Sequence, residues 1–348
     1  MALVIDYSSG IFEAAPSGET VGTDPATIGD PNFANVELLL HGDGTSGSTT
    51  FTDNSSNGLT ITANGNAQVD TAVKKFGTGS IEFDGTGDYL VAGTGTPSYP
   101  NFGTGPFTIE MWIYNTASGL QGLWTTHRIG TSGGMHFYID TNNRLNHGSS
   151  GNGDNGNNPT SDNVISLNTW HHVALCREGT GTNQTRIFVD GTVVLSHTDT
   201  SNYQTYTYGP YLGAFDQGGT DPYYYTGYID DVRITNVARY TSNFTAPTAA
   251  FSDQGPTVSA TTGNVFNHAP SADVAYTFSN PPTTGSAYDF TLKVAPTATV
   301  AITWPSSVKW AGGTAPSAPA SGEKDVYNFF TIDGGTTYYG FQAGDAMA

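Results

Sequence analysis

From Val36 onward the chain is a succession of short apolar or alternating runs: Val36–His41, Leu59–Thr62, Ser80–Phe83, Phe107–Tyr114, Met135–Ile139, Trp170–Arg177, Arg186–Val189, Tyr211–Ala214 and Tyr228–Ile234. Gly, Asn and Asp separate nearly all of them, and no 3.6-residue periodicity intervenes. Runs of this length and punctuation predict strands of an antiparallel two-sheet sandwich rather than a parallel α/β fold. In the strongest run, Phe107, Ile109, Met111 and Ile113 point one way and Thr108, Glu110, Trp112 and Tyr114 the other. Bulk on both faces suits a central strand. Asp190-Gly191 predicts a hairpin turn. Between Asn115 and Leu167 the pattern loosens, and Asn146–Pro159 reads as a surface loop.

Two breaks divide the chain. Residues 1–34 hold a short apolar start (Leu3, Val4, Ile5, Phe12) and no sustained period, which predicts an extended N-terminal arm. Near Phe244–Pro256, prolines and small residues mark a linker. Residues 35–250 therefore form one β-domain and 254–348 a smaller one, the latter with runs at Val274–Phe278, Tyr288–Val294, Val300–Trp304, Val326–Ile332 and Thr336–Phe341. Phe290, Leu292, Val300 and Ile302 are expected to fill its core, with Trp304 and Trp310 bracketing a turn.

Composition narrows the chemistry. With 11 Lys+Arg against 30 Asp+Glu the chain carries −19, which repels phosphate backbones and anionic lipid and so argues against nucleic-acid binding. The 44 Gly and 18 Pro among 348 residues exclude a helical bundle. No stretch approaches the roughly 20 apolar residues of a membrane-spanning helix, so no membrane insertion is expected, and the start lacks the form of a secretion signal. The single cysteine, Cys176, lies in the apolar run His172–Cys176 and is expected to act as a small buried hydrophobe.

Five ordered segments carry a family resemblance: Phe83-Asp-Gly-Thr-Gly-Asp-Tyr89, Phe107–Ile113, Asn168-Thr-Trp-His-His-Val-Ala174, Ile187-Phe-Val-Asp-Gly191 and Gly227-Tyr-Ile-Asp-Asp-Val-Arg-Ile234. In this order they resemble the concanavalin A-like, laminin G-like jelly rolls, over about residues 35–250. The resemblance implies an all-β fold: an antiparallel jelly-roll sandwich followed by a smaller β-sandwich domain, with the extended arm in front. It also implies a structural Ca²⁺, which needs six to eight hard oxygens. The candidate ligands are Asp43, Asp230 and Asp231, with Asp84 and Asp88 as further acids. The alternative for the Asp230-Asp231 pair is one carboxylate in solvent and the other on Arg233 or Arg239.

Catalytic signatures are missing from the sequence. Glucan-cleaving relatives of this fold carry Glu-x-Asp-x-x-Glu on one strand, and that pattern is absent; Glu110 stands alone in its strand. Adjacent strand residues face opposite sides, so His171 and His172 are expected to be structural. The tyrosine clusters Tyr203–Tyr211 and Asp221–Gly227 suggest a sugar platform instead, because a pyranose stacks on rings and offers hydroxyls to polar neighbours. Asp216, Tyr223, Tyr224 and Tyr225 are the candidate glycan contacts; loop packing or an oligomer interface would use the same residues.

The segments Tyr276–Pro282, Tyr288–Val294, Ile302–Trp310 and Asp325–Gly340 resemble a small β-domain of tailed-bacteriophage structural proteins. This resemblance implies a non-enzymatic virion component on the particle exterior: a fibre, tail or capsid-decoration protein displaying a lectin-like domain for host-surface glycan. Other virion proteins would be bound through the arm, and a homo-oligomer is expected, a trimer being favoured. The alternatives are a purely structural decoration or assembly protein and, last, a polysaccharide depolymerase.

Overall fold

The computed structural model describes residues 26–27, 29–30, 32–93, 102–126, 134–149, 160–203, 210–215, 223–253, 257–261, 263–270, 274–297 and 299–347. They divide into two compact units, Phe33–Asp253 and Gln254–Ala348, the latter together with residues up to Asn32. The described residues form strands and two 3-10 turns, Phe33–Asn35 and Ala311–Gly313, and no α-helix. The fold is all-β, as the strand pattern predicts.

The first unit is a sandwich of two antiparallel sheets. One runs in the order Thr192–His197, Thr185–Val189, Trp170–Arg177, Phe107–Asn115, Thr226–Thr235, Ser80–Asp84, Gln68–Asp70, and Val36–Leu40 also pairs with Thr226–Thr235. The other runs Thr160–Val164, Arg144–Ser149, Met135–Ile139, Gln121–Thr125, Tyr211–Leu212, Tyr89–Ala92, Ile61–Asn64. Asn146–Ser149, read from composition as loop, thus lie in a strand of this seven-stranded sheet. Gly148 falls opposite His136 and Asn146 opposite Tyr138, so cross-strand pairing outweighs the weak local propensity.

Phe107, Ile109, Met111 and Ile113 all enter the core, where they meet Val173, Leu175 and Ile187 from the same sheet and Leu123, Trp124 and Phe137 from the other. The hairpin at Asp190-Gly191 has φ of 49° and 79°, as a type I′ turn requires. A Cβ on Gly191 would lie 2.0 Å from the Phe244 carbonyl oxygen, so the turn also fixes where the later chain passes. Cys176 is buried and unpaired, with Ala174 and Phe188.

The opposite face of the Phe107–Asn115 strand is covered too. Glu110 is fully buried there; its Oε1 accepts from Arg233 Nε at 2.9 Å and Nη2 at 2.8 Å, and its Oε2 accepts from the Tyr240 hydroxyl at 2.8 Å. His172 Nε2 lies 3.2 Å from Oε2 and Arg239 Nε 3.8 Å from Oε1. Burial alone would raise the Glu110 pKa, but Arg233, His172 and Arg239 outweigh it and hold it at about 2. Tyr240 stacks on Phe244 at 3.6 Å, and Arg233 sits 3.8 Å from the Phe251 ring centroid, so residues 237–251 are strapped across this face.

A second buried network joins the two sheets at one edge. His147, on Arg144–Ser149, has Nδ1 3.1 Å from His197 Nε2, on Thr192–His197, and Nε2 2.8 Å from the Tyr203 hydroxyl. That hydroxyl donates to Asp199 Oδ2 at 2.9 Å, and Arg177 Nη1 reaches the same oxygen at 3.2 Å. Burial holds His147 neutral, with its pKa pushed down to about 3, and lowers that of His197 as well.

The second unit is built on a six-stranded sheet in the order Ala26–Thr27, Val265–His268, Tyr288–Val294, Lys324–Thr331, Tyr338–Met347, Val308–Trp310. Three of its pairings are parallel, those of Val265–His268 with both its neighbours and that of Val308–Trp310, so the sheet is mixed. Ala26–Thr27, within the segment predicted as an arm, form its edge strand; residues 1–25 lie outside the described residues. Two parallel ribbons, Thr257–Ser259 with Thr277–Ser279 and Val274–Ala275 with Ile302–Thr303, complete the unit. Phe290 and Leu292 fill its core with Phe266, Tyr327, Phe329 and Tyr338, and Ile302, Trp304 and Trp310 pack against them.

Two outcomes follow from the buried charges. Glu110→Ala leaves Arg233 and Arg239 uncompensated and is expected to cost about 3–5 kcal/mol in denaturant unfolding, with faster proteolysis in residues 237–251. His147, whose folded pKa lies below its unfolded value, stabilises the fold above pH 6.5 and loses that contribution as pH falls toward about 3. Between pH 6.5 and 4.5, above the range where Glu110 titrates, His147→Gln should flatten the fall in stability, which for one proton is at most about 1.4 kcal/mol per pH unit.

Candidate functional site

The three tyrosines of Tyr223–Tyr225 part company in the structure. Tyr223 and Tyr224 form a short strand paired with Ala214–Phe215, and Tyr223 is 40% exposed. Tyr225 turns inward: it is fully buried, packs edge-on to Phe83 at 6.0 Å, and its hydroxyl has no hydrogen-bond partner among the described residues. Burial raises its pKa well above the usual tyrosine value. Tyr225 is therefore a core residue, not a sugar contact, and Asp216 lies outside the described residues.

Tyr224, half-buried, instead joins rings that the sequence reading did not assign to the site. In Tyr89–Ala92, Leu90 and Ala92 enter the core, so Tyr89 and Val91 face outward; in Tyr211–Leu212, Leu212 goes inward. Tyr89 and Tyr211 meet at 4.8 Å, and Tyr224 stacks on Tyr89 at 6.3 Å with 22° between planes. Gly213, at φ 84°, links Tyr211–Leu212 to the Tyr223–Tyr224 ribbon, and a Cβ there would strike the Phe83 ring at 2.5 Å. The chain can carry Tyr224 over Tyr89 only with glycine at this corner. Nothing in the uniformly apolar run Tyr89-Leu90-Val91-Ala92 marks Tyr89 as outward; the pairing of the strand does.

Along the same sheet face the register places Val91, Tyr211, Thr125, His136 and Gly148 on successive strands. Thr125 Oγ1 and His136 Nδ1 are 3.0 Å apart, so a polar pair continues the row beyond the rings. Both are buried, so the accessible part of this face is the ring shelf itself. A cleft elsewhere, of about 230 Å³ beside Leu40, His41, Asp43 and Phe51, is smaller than usual ligand pockets.

The candidate calcium ligands do not assemble into a cage. Asp231 sits on a β-bulge at φ 51°; its Oδ1 contacts His41 Nδ1 at 2.6 Å and its Oδ2 accepts the Phe251 N–H at 2.7 Å. Asp230 Oδ2 accepts the N–H groups of Lys75 and Phe76 at 2.7 and 3.0 Å. Asp43 Oδ1 takes the Thr78 N–H and hydroxyl and the Gly79 N–H. Among the described residues no group of three or more His, Cys, Asp or Glu could hold a metal. Each carboxylate has at least one oxygen engaged by a protein donor, and the three do not converge on a shared point as calcium ligands would. Asp84 and Asp88 are likewise engaged in their own turn, Asp88 by the Asn66 and Asp84 N–H groups. Neither Asp230 nor Asp231 faces solvent or pairs with Arg233 or Arg239, because both are buried and both arginines serve Glu110.

Residues 84–243 match the Laminin_G_3 family model, described as the concanavalin A-like lectin/glucanases superfamily. The Phe33–Asp253 unit has a concanavalin A-like jelly-roll fold. Solved structures similar to the chain include a Trypanosoma rangeli sialidase mutant displaying trans-sialidase activity (14% identity, TM-score 0.42, covering 60% of this chain and 31% of that one). A second belongs to the study of botulinum neurotoxin type C cell entry through two ganglioside molecules (12%, 0.43, 60% and 49%). A third is the CBM40 of Ruminococcus gnavus IT-sialidase bound to α2,3-sialyllactose (17%, 0.36, 47% and 91%). The chain spans about a third to a half of the length of the first two. No curated protein sequence matches it.

Asp230 carries the testable consequence of this geometry. Its Oδ1 is buried with no partner, and burial, reinforced by Asp231 and Asp43, raises its pKa to about 7. A carboxyl whose folded pKa exceeds the unfolded value stabilises the fold at low pH and loses that contribution as pH rises through about 7. Asp230→Asn, which supplies a neutral side chain at every pH, should raise the melting temperature most at pH 8 and progressively less as pH falls toward the unfolded carboxyl value of about 4.

Proposed function

We propose that the protein is a non-enzymatic adhesion component of a tailed-phage virion, exposed on the particle exterior, whose jelly roll attaches to a host-surface glycan. The observation that carries the glycan reading is the ring cluster of Tyr89 and Tyr211, from the seven-stranded sheet, with Tyr224 of the adjoining ribbon, next to the exposed Tyr223. Rings at this spacing stack on the apolar face of a pyranose. The ring shelf is uncharged and the chain carries −19, which favours neutral sugars over acidic ones.

The virion reading is supported by the resemblance of the C-terminal segments to phage structural domains, with residues 1–34 attaching to other virion proteins. Two features support a role without bond cleavage: the sequence lacks the glucanase carboxylate pattern, and Glu110 is sealed among arginines where no sugar reaches it. Many copies on one particle convert weak single contacts into firm attachment through effective concentration.

Tyr89→Ala and Tyr224→Ala are each expected to weaken binding to a neutral-glycan array about tenfold, the scale of one lost stacking contact, without lowering the melting temperature by more than a few degrees. Unchanged binding by both variants would overturn the glycan reading and leave the structural role.

A further inference from the structure

In the C-terminal unit, Lys324–Thr331 and Tyr338–Met347 bury Tyr327, Phe329 and Tyr338 on one face of the sheet. The other face shows Phe330, Tyr339 and Phe341, exposed by 38%, 43% and 50%. These rings lie side by side: Phe330 to Tyr339 at 5.0 Å and Phe330 to Phe341 at 6.1 Å, with planes within 25°. A contiguous exposed aromatic patch of this kind marks an interaction site more often than scattered surface apolar residues do.

Cross-strand register sets a line of four residues through this patch: Asp289, Phe330, Tyr339, Lys309. Tyr288 and Phe290 point into the core, so Asp289 between them points out; Val308 and Trp310 do the same for Lys309. Three strand spacings of about 4.8 Å separate the acid from the base, too far for them to pair with each other. Neither forms an ion pair among the described residues. The row reads acid, ring, ring, base from one end to the other.

We infer that this face is an isologous docking surface between two copies of the chain. A two-fold axis parallel to the strands, passing between Phe330 and Tyr339 in the plane of contact, reverses the row. It lays Asp289 of each copy against Lys309 of its partner and Phe330 against Tyr339, each contact occurring twice. Phe341 falls over Asn328, its neighbour in the adjacent row. A three-fold axis does not superpose the row on its own reverse, so the contact is a dimer, in place of the trimer favoured by the virion resemblance. Rings at the centre with paired charges at the rim follow the usual anatomy of a specific interface.

The test is sedimentation velocity on the full chain over a range of concentrations and salt. The wild type should be a dimer, and Phe330→Ser with Tyr339→Ser a monomer with an unchanged circular-dichroism spectrum. Asp289→Lys alone, which sets Lys against Lys at both ends, should weaken dimerisation about tenfold. Adding Lys309→Asp should restore it, which no fold defect would mimic. A monomeric wild type, a trimer, a dimer indifferent to these four residues, or a glycan protecting Phe330 and Tyr339 from modification would overturn the proposal.

Discussion

The buried carboxylate of Glu110 is the constraint around which the jelly roll is arranged. An unpaired charge at that depth would cost several kcal/mol, so the chain must bring cations and donors to it. They arrive from three directions: Arg233 from the adjacent strand, His172 from the strand on the other side, and Arg239 and Tyr240 from the segment that follows the sheet. Satisfying one acid therefore specifies the pairing of three central strands and the path of residues 237–251. The aromatic stack of Tyr240 and Phe244 and the Arg233–Phe251 contact then seal that path against water. The central strands of the eight-stranded sheet are consequently buried on both faces.

How much of this could be read in advance depended on which face carried the apolar residues. The Phe107–Tyr114 alternation and the Asp190-Gly191 turn were legible because period and turn chemistry agree. Gln121–Thr125 and Arg144–Ser149 were not: their outward positions are Gly122, Asn146 and Gly148, and only tertiary pairing reveals them as strands. The Asp230-Asp231 pair misled for a different reason. A bulge inserts one residue there, so the rule that neighbours face opposite sides fails, and both carboxylates end up buried.

The tyrosine cluster shows the same mixture. Three consecutive tyrosines look equivalent in sequence, yet the Gly213 corner and the Ala214–Phe215 ribbon leave Tyr223 and Tyr224 at the surface and drive Tyr225 into the core. Tyr89 was not picked out, because its run is apolar throughout and its meeting with Tyr211 and Tyr224 joins segments more than a hundred residues apart. No local pattern encodes a contact of that range. In the C-terminal unit, the adjacent pair Phe329-Phe330 already requires one ring to lie outside, because a strand cannot bury both.

Positive charge is scarce in both units. Of the 11 cations, Arg177, Arg233 and Arg239 are used against buried acids, and Arg144 and Arg186 pair with Asp140 and Glu178. The other six, Lys309 among them, are outnumbered by the 30 Asp and Glu of the chain. A chain in this condition binds best through rings and hydroxyls, and any association between copies must overcome the repulsion of two bodies at −19 each. That repulsion is long-ranged and screened by salt, whereas a desolvated aromatic row is not. Where charge does enter such a contact, it must be complementary residue by residue. Lys309, placed at the end of the ring row opposite to Asp289, is one of the few cations in the chain positioned to supply that.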